Sequence, residues 1–159
     1  MTRCIRALRG TLLSRFALAL LITSAIGTAS ANAQAPADDS YKVVVNATNP
    51  VSTLSRNELS RLFLKKVTSW KDSKPVALVD QRASSSVRES FTKDVHGRQV
   101  SSVTSYWQQM IFAGRAIPPV EKASDLDVAT FVAANPSAIG YVSASAELPP
   151  GVKAIAVSK

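Results

Sequence analysis

Cysteine and histidine are almost missing from this chain. Of its 159 residues, one is cysteine, Cys4, and one is histidine, His96. Cys4 lies in an N-terminal segment that reads as removable, so the remaining chain is expected to hold no disulfide, thiol nucleophile or thiolate metal site. His96 has no second histidine with which to form a metal site or a catalytic pair. Glycine is sparse, at six residues. Neither the glycine-rich nucleotide loop nor the Gly-x-Ser-x-Gly elbow of a hydrolase is present. No nucleophile–base pair stands out, so the chain is expected not to be an enzyme and to need no cofactor or metal. An apolar run long enough to cross a bilayer, roughly 20 residues, is also lacking.

What the N-terminus does have is the pattern of an export signal. Arg3, Arg6, Arg9 and Arg15 form a basic region, and residues 16–26 are apolar apart from Thr23 and Ser24. Small residues follow, with Ala31-Asn32-Ala33 in the A-x-A form of a signal-peptidase site. Cleavage is expected after Ala33, dividing the chain into a signal peptide (1–33), a polar leader (34–40) and one domain (41–159). No cysteine follows the apolar region, so no lipid attachment is expected. The expected compartment is the periplasm, with the membrane reached only through partners.

Cleavage changes the charge. The full chain has 19 basic and 11 acidic residues and a net charge of +8. Removing the four arginines leaves 15 basic residues against the same 11 acidic ones, a net +4. Much of the basicity therefore belongs to the discarded peptide. A mildly basic domain suits small anions, whereas nucleic-acid binders carry a clustered basic face. About 125 residues suffice for a core without disulfide staples.

Along the domain, residues 41–45 read as a strand closed by the turn Asn46-Ala47-Thr48-Asn49-Pro50. Ser55-Arg56-Asn57-Glu58 has the form of a capping box, with Leu54 and Leu59 in staple positions and Leu59, Leu62 and Phe63 as the buried stripe. That helix is expected to end before Lys65-Lys66. A second helix, from Ser101 or Ser102 to Gly114, carries Val103, Tyr106, Trp107, Met110 and Ile111. A third runs from Ser124 to about Ala134, where Asn135-Pro136 breaks it. Residues 138–142 and 152–157 read as strands. The alternation predicts an α/β domain with a mixed, mostly parallel sheet and helices on both faces.

The richest stretch is residues 75–97. Val76, Ala77, Leu78 and Val79 form a short apolar run, as in a strand buried on both faces. Gln81, Arg82, Ala83, Ser84, Ser85 and Ser86 follow, and then Val87, Phe91 and Val95 recur at helical spacing up to Gly97. A polar turn between a strand and a helix gathers free N–H groups at the positive end of the helix dipole. Hydroxyls and the arginines Arg82 and Arg88 would add donors for an oxyanion. The same residues also admit a plain structural account, with Ser86 and Glu89 as a capping box. Asn46, Ala47 and Thr48 are a secondary candidate loop, or simply the turn before Pro50. Tyr106-Trp107 reads as core more readily than as an aromatic platform. Lys65-Lys66 and the lysines at 71 and 74 read as a solvated edge. His96 sits where a helix C-terminus favours a cation, and Gly140 where strands pack tightly.

Several of these segments resemble periplasmic phosphate-binding proteins, the substrate-capturing components of phosphate ABC transporters. The resemblance rests on Leu54-Ser55 through Phe63, Trp70 and residues 75–80. It continues in Ser84-Ser85-Ser86 with Phe91-Thr92, and in Asn135-Pro136-Ser137-Ala138-Ile139-Gly140-Tyr141-Val142. Aligned on Phe91, the family's serine falls on Ser85, its glycine and threonine on Ser86 and Val87, and its upstream arginine on Gln81. The chain has about half the length of a two-lobed family member. The resemblance thus implies a single lobe of the type II periplasmic-binding-protein fold. It also implies a ligand site drawn from Gln81, Arg82, Ser84, Ser85, Ser86 and Arg88, with Asn46, Ala47 and Thr48 as a second loop. The implied ligand is phosphate or a similar oxyanion, and the implied partners are an ABC permease or a second lobe. The rival expectation is an envelope interaction module that keeps the fold without a ligand.

Overall fold

A computed structural model describes residues 40–159. The expected export signal, its expected cleavage site and the leader up to residue 39 lie outside the described residues. In chain order the elements are β1 (Tyr41–Asn46), β2 (Thr53–Ser55), α1 (Arg56–Phe63), β3 (Ala77–Gln81) and α2 (Ser86–His96). They continue with α3 (Val100–Phe112), β4 (Val120–Lys122), α4 (Asp125–Ala134), β5 (Ala138–Ser143) and β6 (Val152–Ser158). Six strands form one sheet in the order β2-β6-β1-β5-β3-β4. β1 is antiparallel to both of its neighbours, while the β2–β6, β3–β5 and β3–β4 pairs are parallel. Five strands therefore end at one edge of the sheet and β1 ends at the other.

Alternation along β1 assigns its valines to two cores. Val43 and Val45 join Leu59, Leu62 and Phe63 of α1 and Val87, Phe91 and Val95 of α2. Val44 points the other way, to Val128 and Val132 of α4. Period-two geometry makes a continuous apolar run the natural sequence for a strand covered on both faces. The Phe91 ring lies flat on Tyr141, with centroids 3.9 Å apart and planes 6° apart. α3 packs apart from the sheet, where Val103 and Trp107 bury against Leu64.

Local signals explain most boundaries. Ser55 and Glu58 form the expected capping box on α1. Ser124 caps α4, and Gly97 ends α2 at a φ of 62°. Four expectations need correction. β3 spans 77–81 rather than 76–79, because Asp80 and Gln81 are buried with polar partners and the strand continues through them. The cap of α2 is Ser85, whose side chain accepts from the Arg88 N–H, so Ser86 is the first helical residue and forms no box with Glu89. α3 starts at Val100 behind Gln99, without a side-chain cap. β2 and β4, three residues each, were not expected; each is held by one parallel neighbour.

Gly140 fills the expected tight position. A Cβ there would sit 2.6 Å from Val79 Cγ1 and 2.9 Å from Val128 Cγ1. Gly140→Ala should therefore destabilise the fold by about 1–3 kcal/mol through overpacking, read as a lower urea midpoint at unchanged slope.

His96 also departs from expectation. It is buried enough to lose hydration, its Nδ1 lies 2.9 Å from Ser60 Oγ, and it meets the edge of Phe91. Burial, reinforced by Arg98, Arg88 and Lys66, pushes its pKa down to about 4, so it is neutral at neutral pH rather than a cation on the helix dipole. The unfolded chain, with an ordinary histidine pKa of about 6.5, then binds the proton more readily. Its contribution to stability should be complete above pH 6.5 and decline as pH falls toward 4. In His96→Gln that part of the pH dependence of the urea midpoint should be absent.

Candidate functional site

β3, β4 and β5 end side by side at Gln81, Lys122 and Ser143, and the N-termini of α2 and α4 open beside them. The turn from β3 to α2 is closed by the Ser85 N–H donating to Arg82 O at 3.0 Å, while the Arg82 N–H donates to Lys122 O. Arg82, Ala83, Ser84 and Ser86 are exposed. Helix geometry leaves the first N–H groups of α2, those of Ser86 and Val87, without intrahelical partners.

Beneath the turn lies a buried polar cluster. Arg88 is 3 % exposed. Its guanidinium pairs with Asp80 at 3.1 Å and Glu121 at 2.5 Å and donates to the Gln81 carbonyl at 2.5 Å. Asp80 also accepts from the Tyr141 hydroxyl and the Gln81 N–H. Burial raises the Asp80 carboxyl, while Arg88, Tyr141 and the Gln81 N–H oppose that rise. Burial and the neighbouring Asp80 push the Tyr141 hydroxyl well up, so it stays a donor.

The Gln81 amide continues this network outward. Its Oε1 accepts from Ser85 Oγ at 2.5 Å, and its Nε2 donates to Asp125 Oδ1 at 2.6 Å. Asp125 also accepts from the Ser143 N–H at 3.1 Å and from Ser143 Oγ at 2.5 Å.

The structure therefore brings Gln81, Arg82, Ser84, Ser85, Ser86 and Arg88 together, but in different states. Arg82, Ser84 and Ser86 face solvent. Gln81, Ser85 and Arg88 are engaged inside the protein. A cleft of about 600 Å³ adjoins the turn, and Ser84, Ser85, Glu89, Lys93 and Arg98 are among its walls. Lys93 and Arg98 are the cations on this cleft, a role that sequence reasoning missed. Their helical position and the fold of the α2–α3 link bring them there, and no local motif marks them.

Asn46, Ala47 and Thr48 are not part of this arrangement. β1 runs opposite to β3 and β5, so Asn46 lies beside the start of β5 while the serine turn lies beyond its end. Five residue steps of strand separate them, roughly 16 Å at about 3.3 Å per residue. Asn46 is 4 % exposed. Its Nδ2 donates to the carbonyls of Val132 and Ala133 near the end of α4, and its Oδ1 accepts from the Thr48 N–H and hydroxyl. The Ala47 N–H donates to Gly151 O. Asn46 and Ala47 thus clasp this loop to α4 and Gly151, while Thr48 is exposed on the wall of a separate cleft. Trp107 is likewise core, and the Tyr106 hydroxyl donates to Leu64 O.

A family model described as "PBP superfamily domain" matches residues 37–157. The chain belongs to the PBP superfamily. Among solved structures, an ABC-type phosphate transport receptor from Vibrio cholerae matches with a TM-score of 0.59 and 26% identity, over 75% of this chain and 46% of that one. A Clostridium perfringens protein solved with bound phosphate shares the fold. Its TM-score is 0.59 at 21% identity, covering 74% of this chain and 44% of that chain. A possible phosphate binding protein from Planctomyces limnophilus does so at a TM-score of 0.58 and 20% identity, over 75% and 41%. This PBP-superfamily chain thus spans less than half the length of these structures. No curated protein matches it. Among the described residues, no helix is long and apolar enough to cross a membrane.

Arg88→Ala would leave Asp80 buried without its cation and should cost about 3–5 kcal/mol. Arg82→Ala, on the exposed side of the same turn, should change stability by no more than about 0.5 kcal/mol. Urea unfolding of the two variants checks the contrast.

Proposed function

We propose that this chain is an exported, non-catalytic solute-binding lobe that holds a small oxyanion, with phosphate the first candidate, at the turn between β3 and α2. The observation that carries the reading is the exposed serine turn at the N-terminus of α2. There the first N–H groups of α2, those of Ser86 and Val87, share one short turn with the exposed side chains of Arg82, Ser84 and Ser86. Lys93 and Arg98 on the adjoining cleft add positive potential. The likeness to the Vibrio cholerae phosphate transport receptor supports the same ligand class and a role beside an ABC permease. A single lobe offers one wall of a ligand cleft, so a second lobe or a partner protein would supply the other. The periplasm is the proposed site of action, in line with the export signal read at residues 1–33.

The second reading, an interaction module of the same fold, is favoured by one observation. Gln81, Ser85 and Arg88 satisfy one another and their acidic neighbours internally. Calorimetric titration of the purified chain with phosphate and with sulfate separates the two readings. Oxyanion binding predicts heat at millimolar concentration or below, reduced in the Arg82→Ala/Ser84→Ala double variant. Absence of heat with both anions would leave the interaction module.

A further inference from the structure

Three donors converge on one acceptor just behind the serine turn: Gln81 Nε2 at 2.6 Å, the Ser143 N–H at 3.1 Å and Ser143 Oγ at 2.5 Å. The acceptor is the carboxylate of Asp125, at the first position of α4. Two nitrogen donors and a hydroxyl around a pair of carboxylate oxygens are what an oxyanion site offers its ligand. Here the chain's own side chain occupies that set.

We propose that Asp125 is an internal latch on the oxyanion turn, a positioning residue that acts through Gln81 and lowers the affinity of the turn for every anion. The proposal rests on the oxyanion reading of the turn, and the hydrogen-bond directions supply its mechanism. A carboxylate accepts only, so Asp125 at 2.6 Å, helped by the Tyr141 carbonyl at 3.4 Å, fixes the Gln81 amide with Nε2 facing inward. The amide oxygen must then face the turn, where it takes the Ser85 hydroxyl proton. Ser85 Oγ meanwhile accepts from the Arg88 N–H at 3.4 Å. The hydroxyl of Ser85, the half-buried serine of the turn, therefore donates inward, and the turn meets an amide oxygen instead of an amide N–H.

Charge adds to this geometry. Asp125 and the Ser85 hydroxyl are separated by one amide group and two short hydrogen bonds. At a separation of about 7 Å and with partial solvent screening, a fixed negative charge weakens anion binding on the order of tenfold. With the carboxylate removed, Nε2 keeps only its longer 3.4 Å bond to the Tyr141 carbonyl, so the amide is held less firmly in this orientation and the Ser85 hydroxyl is more readily released.

The experiment is phosphate and sulfate titration of the wild-type chain, Asp125→Ala and Asp125→Asn, with thermal melts to establish that each variant is folded. Gln81→Met, which removes the relay and leaves α4 unaltered, serves if the position 125 variants do not fold. Asp125→Ala should bind both anions on the order of tenfold more tightly than wild type. Asp125→Asn, which loses the charge but keeps an acceptor, should gain less. Unchanged or weaker binding by folded Asp125→Ala would overturn the latch, and so would loss of phosphate binding alone. If the wild type binds and the variant matches it, the latch falls and the oxyanion function stands. If only the variant binds, the latch stands and the native chain is an interaction module. If no form binds, both fall.

Discussion

The charge of Arg88 is the constraint around which the rest of the sheet edge is arranged. A guanidinium cannot lose its proton inside a protein, so a chain that buries one must surround it with acceptors. The acceptors come from three places: Asp80 within β3, Glu121 within β4 and the carbonyl of Gln81 at the end of β3. Tyr141 of β5 completes the set through Asp80. One side chain of α2 thereby ties the helix to the ends of neighbouring strands. It also explains why β3 continues past its apolar residues, since Asp80 and Gln81 have polar reasons to be inside.

This arrangement bears directly on the serine turn. Family membership and the likeness to the Vibrio cholerae receptor make a solute-binding lobe the natural frame. Within that frame the inner half of the turn is a self-satisfied network running from Arg88 to Asp125. The outer half, formed by Arg82, Ser84, Ser86 and the first N–H groups of α2, is open to solvent. The proposed binding at the turn and the rigidity of the edge thus fall to different residues of one short segment.

Much of this fold was legible in the sequence because its signals are local. The Ser55–Glu58 box, the Ser124 cap, Gly97 and the Asn135-Pro136 break each act within a few residues. The strands at 41, 138 and 152 announce themselves as apolar runs. β2 and β4 were invisible because three residues carry no periodicity, and only a neighbouring strand makes them strands. The location of the candidate site was legible for the same local reason, a polar turn between an apolar strand and an amphipathic helix. Its internal wiring was not. Arg88 looked like a ligand-facing arginine, and only tertiary packing turns it toward Asp80 and Glu121. Nothing local marks Asp125, an acid in the first turn of a helix, because its partners lie 44 and 18 residues away along the chain. The separation of Asn46 from the turn follows from the direction of β1, which hydrophobic pattern does not encode.

That reversed strand has a topological result. Extending the β1–β6 register by two residues sets Tyr41 beside Val157, and both side chains pack against the same core. The sheet therefore begins and finishes, among the described residues, at neighbouring points on the edge that carries the serine turn. A lobe with adjacent ends behaves like a plug: it can be spliced into a loop of a host protein, or have its ends joined and be reopened elsewhere, with every strand pairing kept. Any host so chosen would join at the same sheet edge as the β3–α2 turn, with β5 between them.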